Sequence, residues 1–135
     1  MVAVEWAIRE NKDAGTAQQG GAHNYYDGAF LCAKLGATPA SILNADEQYF
    51  VNTLVLASGG KAYWIGMRKV GNSYIWTDGS PVTYMNWRPT QPDGCCPPDV
   101  TCVLVNYHDA IGQWEDAGCV TIWRSPLYTV CKKPL

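Results

Sequence analysis

No apolar stretch in this chain runs beyond a few residues; Leu54–Ala57 and Ala62–Ile65 are representative. A membrane-crossing helix needs about 20 consecutive apolar residues, so no membrane insertion is predicted. Charge is scarce as well. Only 16% of residues are charged and the net charge is −2, which argues against a disordered acidic chain and against a basic nucleic-acid-binding surface. No Cys-x-x-Cys pair is present, so neither a zinc ribbon nor a dithiol redox motif is expected. There is no internal repeat and no low-complexity tract. The first ten residues lack a basic region followed by a long apolar run, so no secretory signal is expected in them. At 135 residues the chain is too short for a multidomain enzyme. With 47% hydrophobic residues, it has apolar matter for one core and is read as a single domain over residues 1–135.

What is abundant is aromatic and turn-forming. Six Trp, eight Tyr, thirteen Gly and eight Pro suggest a loop-rich domain with much irregular backbone. Six cysteines stand at 32, 95, 96, 102, 119 and 131. An even number in a small domain favours disulfides and an oxidising compartment. The domain is therefore read as secreted, with Met1 an added initiator. Six cysteines allow about 15 pairings, and spacing alone does not choose among them.

Periodicity divides the chain. Val2 to Ile8 alternates as an edge strand would, and Thr16 to Asn24 reads as a surface loop. From Asn24, the residues Tyr26, Phe30 and Ala33, with Ala29 beside them, fall on one helical face, and Gly36 stands where the helix stops. Asn44 followed by Glu47 is a helix-start signal. Phe50, Val51, Leu54 and Val55 then make an apolar stripe that ends at Gly59-Gly60. Beyond residue 60 come short aromatic and β-branched runs at 62–67, 74–76, 102–106, 113–114 and 127–131, with turn signals at Gly71-Asn72 and Asp78-Gly79. Asn86 to Pro98 fits neither period. Helices first and strands afterwards predict an α+β domain with a long excursion in its second half.

One further absence carries chemistry. Five of the twelve acidic residues, Asp93, Asp99, Asp109, Glu115 and Asp116, lie between Gln91 and Asp116, and none of the ten Lys and Arg does. Crowded carboxylates repel, and a bound cation relieves that repulsion. The set Gln91, Asp93, Asp99, Glu115 and Asp116 suits calcium, which takes six to eight oxygens in flexible geometry; magnesium, with its stricter octahedron, suits it less. The plainer alternative is a solvated acidic rim.

The ordered motifs resemble the C-type lectin-like domain over nearly all of residues 24–134. Tyr25 to Leu35 with Cys32, then Gly36 to Ile42, resembles the family's first helix and its exit, and Asn44 to Ala57 its second helix. Trp64-Ile65-Gly66-Met67 is similar to the family's core strand. Trp76 to Val82 and Asn86-Trp87 are similar to the passage into its long loop. Gln91-Pro92-Asp93 resembles the galactose-type sugar tripeptide, and Cys102, Trp114-Glu115-Asp116, Cys119 and Tyr128 to Cys131 complete the pattern.

The resemblance implies a C-type lectin fold: two helices, short antiparallel sheets and a long calcium- and sugar-binding loop, in the short form of the family. It implies the pairings Cys32–Cys131 and Cys102–Cys119. Cys95-Cys96 stands outside the common pattern. A vicinal disulfide is preferred there; bridges to a second chain, free thiols, and a zinc site with Cys102 and His108 are the alternatives. By similarity, Gln91 and Asp93 would each give one calcium ion an oxygen, with Pro92 as a cis peptide holding them on one side, and Asp99 and Asp116 would follow as ligands. A sugar would then bind through vicinal hydroxyls to the ion and to Gln91, Asp93, Asp99 and Glu115. Tyr107, His108 or Tyr84 would supply an aromatic surface for the sugar, while Trp64, Trp76, Trp87 and Trp114 are read as core. Glu115 departs from the family's usual Asn, and neighbouring strand residues such as Glu115 and Asp116 point to opposite faces.

These readings give a calcium-dependent, non-enzymatic lectin for galactose or N-acetylgalactosamine glycans and glycoproteins. Because single sugars bind weakly, a homo-oligomer is expected. The alternative is an interaction protein of the same fold that has lost sugar binding and recognises a protein. A glycosidase using Asp99 with Asp109 or Glu115, or a Cys–His hydrolase using His23 or His108, is disfavoured because no spacing selects the residues.

Overall fold

Two asparagines start the two helices. Asn24 caps α1 (Tyr25–Ala33): its side chain accepts from the Asp27 N–H while the Asp27 carboxylate accepts from the Asn24 N–H. Asn44 caps α2 (Ala45–Ala57) by accepting from Glu47 N–H at 2.8 Å. These caps satisfy amide groups that a helix leaves unpaired at its start. The computed structural model describes residues 4–10, 24–95, 98–120, 126 and 128–134. The loop expected from Thr16, apart from Asn24, lies outside the described residues, as do His23, Cys96, Leu127 and the start of the first expected strand.

The strands are β1 (Val4–Glu10), β2 (Thr38–Pro39), β3 (Tyr63–Val70), β4 (Ser73–Trp76), β5 (Val100–Val105), β6 (Trp114–Gly118) and β7 (Tyr128–Pro134). They form one sheet in the order β1-β7-β3-β5-β6, with β2 beside β7 and β4 beside β3. The expected antiparallel pairings are present and join, with one parallel pair, into a single mixed sheet. Its parallel pair joins β3 to β7 through Tyr63↔Tyr128 and Trp64↔Thr129. A parallel pair needs a long crossover, and the whole excursion between these strands supplies it.

The sheet buries both faces. On one lie Ile65, Met67, Trp76, Val103, Val105 and Trp114 with Val51 and Val55 of α2. On the other, Tyr25 of α1 packs with Trp64, Cys102, Leu104, Ala117 and Cys119. Trp64, Trp76 and Trp114 are buried, and Trp87 packs against them half-buried.

The buried face of α1 is not the expected one. Tyr25, Gly28, Leu31 and Cys32 are buried, whereas Tyr26 and Phe30 are exposed. The helix approaches β7 so closely that a Cβ on Gly28 would lie 1.9 Å from Thr129 Oγ1. The smallest side chain marks the contact, and the large ones turn to solvent. In α2, Val51 and Val55 face the core while Phe50 is exposed.

Two disulfides hold this frame. Cys32–Cys131 ties the end of α1 to β7, and Cys102–Cys119 links β5 to the segment after β6. The first spans 99 residues, a closure that is worth on the order of 4–5 kcal/mol in the chain-entropy account.

Candidate functional site

β6 is one edge strand of the sheet, and the long excursion runs along its Trp114 end. Trp114 N–H donates to Asn86 C=O at 2.9 Å, and Arg88 N–H donates to Trp114 C=O at 2.8 Å. Trp87, Tyr84 and Trp76 surround the Trp114 indole edge-on, with centroids 5.6–5.8 Å away. The indole N–H reaches the buried Gln48 side chain. This aromatic anchor fixes where the excursion begins.

The excursion then turns through Thr90, at φ 75°, into a cis Gln91–Pro92 bond. Its tip is held down by one side chain. Asp116 Oδ1 accepts from Asp93 N–H at 3.1 Å, and Oδ2 accepts from Gly94 N–H at 2.7 Å. Asp93 in turn accepts from Cys95 N–H at 3.0 Å and from Gln91 Nε2 at 3.2 Å. The two carboxyls are driven in opposite directions. The backbone bond from Cys95 lowers the Asp93 pKa below its ordinary value, while burial raises that of Asp116, with the Asp93 charge adding to the rise. Cys95 is disulfide-bonded.

Glu115 lies one residue away but on the opposite face, as strand alternation requires. Its Oε1 is 2.7 Å from Arg88 Nε and 3.3 Å from His108 Nε2. The Glu115 side chain is 11% exposed and that of Arg88 30%. The ion pair is therefore largely shielded.

Asp99 stands elsewhere, just before β5. Its carboxylate accepts from Val120 N–H at 2.9 Å, and its carbonyl accepts from Cys119 N–H. Val100 pairs with Gly118 while Val103 pairs with Asp116, so the first half of β5 separates Asp99 from Asp116.

Of the five expected calcium ligands, the structure thus brings together Gln91, Asp93 and Asp116, and places Asp99 and Glu115 apart from them. Both Asp116 oxygens and both Asp93 oxygens already accept from N–H groups of the tip, and Gln91 turns its Nε2 toward Asp93, so these side chains do not present the six to eight free oxygens that calcium takes. Among the described residues, no group of three or more His, Cys, Asp or Glu side chains is arranged to hold a metal. The donor set does not fit the ion.

The expected aromatic surface also lies away from the tip. Tyr107 packs on the α1 side of the sheet, His108 sits beside Glu115, and Tyr84 packs on Trp114. A groove of ≈ 360 Å³ instead opens between the tip and the β3–β4 hairpin, lined by Lys69, Asn72, Tyr74, Pro92, Asp93, Gly94 and Asp116. Burial, with the Asp116 charge contributing, pushes the Tyr74 phenol up to about 12. No motif in the sequence marks Lys69, Asn72, Tyr74 or Arg88 as site residues. Tyr74 did stand in a predicted strand leading to Trp76, but nothing local to it marks the groove.

Compared with known proteins, residues 21–133 match the family model for the Lectin C-type domain. The chain belongs to the C-type lectin family. The family is a binding fold without enzymatic chemistry, and the α+β architecture is the C-type lectin fold. Versican core protein from Rattus norvegicus is 40% identical over 104 residues, covering 76% of this chain but 4% of versican; the Homo sapiens protein matches equally, over 3% of its length. Human lithostathine has a TM-score of 0.78 at 21% identity, covering 100% of this chain and 86% of that one. The cow CD23 carbohydrate-recognition domain, solved in the presence of a GlcNAc2Man3 oligosaccharide, has a TM-score of 0.76 at 24% identity, covering 98% and 88%. A calcium-independent type II antifreeze protein has a TM-score of 0.75 at 23% identity, covering 97% and 86%. At these identities the three structures speak for the fold.

Proposed function

We propose that this C-type lectin domain binds carbohydrate at the groove beside the Gln91-Pro92-Asp93 tip, with galactose-type glycans as its ligands. One observation carries the reading: Asp93 and Asp116 meet at a groove that also presents Lys69, Asn72 and Tyr74. Sugars are recognised by convergent donors and acceptors beside an aromatic or apolar surface. The carboxylates accept from hydroxyls, Lys69 and Asn72 donate, and Tyr74 offers both a phenol and a ring edge. The tripeptide's amide-then-acid order supports the galactose type. Since the gathered side chains do not make up a calcium shell, the sugar is held by direct hydrogen bonds. The disulfides suit an oxidising, extracellular setting.

A galactose matrix tests this in two arms, one with millimolar calcium and one with EDTA. Retention in both arms, lost in Asp93→Ala, is the expected result. Retention in calcium alone would restore the metal-dependent reading of the sequence. No retention in either arm would favour the second reading, a module that recognises a protein. The neutralisation of Glu115 by Arg88 at 2.7 Å favours that second reading, because it takes one expected sugar and metal ligand out of play.

A further inference from the structure

The acidic stretch from Gln91 to Asp116 contains no Lys or Arg, yet one of its two buried carboxylates is neutralised. The counter-charge comes from Arg88, three residues before the stretch begins. Arg88 reaches Glu115 because its own backbone is pinned to the edge of β6. Its N–H donates to Trp114 C=O at 2.8 Å, next to the isolated bridge between Trp87 and Trp114. From there its side chain crosses to the face that carries Glu115, where Nε meets Oε1 at 2.7 Å and His108 Nε2 approaches the same oxygen at 3.3 Å. An arginine cannot lose its proton at ordinary pH and keeps its charge without any dissolved ion.

We infer that Arg88, fixed along the edge of β6 and paired with the buried Glu115, is a built-in cation that orders the base of the long excursion in place of a divalent metal. The pairing has two consequences. Glu115, already on the face away from Gln91, Asp93 and Asp116, has its charge met without a dissolved ion, and the base of the excursion stays ordered when calcium is removed. Removing the guanidinium leaves a shielded carboxylate with, among the described residues, only the His108 imidazole beside it, a costly state that one carboxylate cannot relieve by gathering a calcium shell. The inference does not depend on sugar binding, and its readout is separate from glycan retention.

The experiment is thermal unfolding of the intact chain in EDTA and in millimolar calcium chloride, with calorimetric calcium titration. It uses the parent protein, Arg88→Met, and the double variant Arg88→Met with Glu115→Met. The parent should show the same melting midpoint in both media and no heat of binding. Arg88→Met should melt several degrees lower than the parent in both media. The double variant should regain stability and ignore calcium, since no carboxylate is left unpaired. A calcium-dependent midpoint in the parent would overturn the inference. So would an Arg88→Met protein that melts like the parent, or a double variant no more stable than Arg88→Met. If Arg88→Met does not fold in EDTA, folding of the double variant supports the pairing, and its failure to fold counts against it.

Discussion

The two faces of β6 carry adjacent carboxylates that are stabilised in different ways. Glu115, toward α1, is met by a full positive charge from Arg88. Asp116, toward the excursion, is met by two backbone N–H groups from Asp93 and Gly94. A guanidinium cancels charge, whereas amide dipoles solvate it and leave the net charge in place. The first arrangement locks a strand edge. The second leaves a negative, hydrogen-bonding tip next to an open groove, and it is there that a polyhydroxyl ligand has acceptors to meet.

The contrast is most strongly tested at Asp116. Asp116→Ala removes both bonds to the tip, each of a charged type worth about 1.5–3 kcal/mol. Hydrogen exchange at Asp93 and Gly94 should accelerate markedly while exchange in β3 and β5 is little changed. Equal acceleration in the strands would show that Asp116 supports the whole sheet. Glu115→Gln should cost less, about 1–2 kcal/mol in denaturant unfolding, a value between those of exposed and buried ion pairs. Because the pair is largely shielded, the effect of Glu115→Gln should change little with salt.

Acid separates the tip's own two carboxyls. Asp93, with a lowered pKa, contributes stability that is present above its unfolded value and lost as pH falls through its folded one. Asp116, with a raised pKa, runs the other way: its contribution is full below the unfolded value and is lost as pH rises through the folded one. Carboxyl NMR titration should place Asp116 above Asp93, and Asp116→Asn should remove the stability decline just above the ordinary carboxyl range. The smallest effect is at Tyr74. Its phenol should titrate near pH 12 in ultraviolet difference spectra against Tyr74→Phe, and Asp116→Asn should move that midpoint down.

The frame was legible in the sequence because its signals are local. Asn24 and Asn44 cap the helices they were expected to start, and the aromatic and β-branched runs after residue 60 became β3 to β7. The family pattern pointed to Cys32–Cys131 and Cys102–Cys119, which are the pairings present. What could not be read depends on distant partners. The apolar spacing of Tyr26 and Phe30 pointed inward, but the close approach at Gly28 reversed the helix. Five oxygen ligands looked like one cluster because they lie close along the chain. Strand alternation sent Glu115 away from Asp116, and Val120 drew Asp99 to the far end of β5. Arg88 lies just ahead of the acid-rich stretch, and no local pattern joins it to Glu115, 27 residues on. The strand alternation that separates Glu115 from Asp116 was itself stated from the sequence, so that much of the site was visible.

Gly66 is where the helical half of the chain meets the strand-rich half. Its N–H donates to Ala40 C=O at 2.8 Å, and a Cβ there would stand 2.3 Å from the Pro39 carbonyl oxygen. At Gly71, by contrast, a Cβ would meet nothing within 4 Å. Anyone diversifying this scaffold should therefore treat the two glycines differently. A library can vary the hairpin tip and its bordering groove, provided the replacement tolerates a positive φ, but even one methyl at the seam would wedge the two halves apart before any new specificity could be selected.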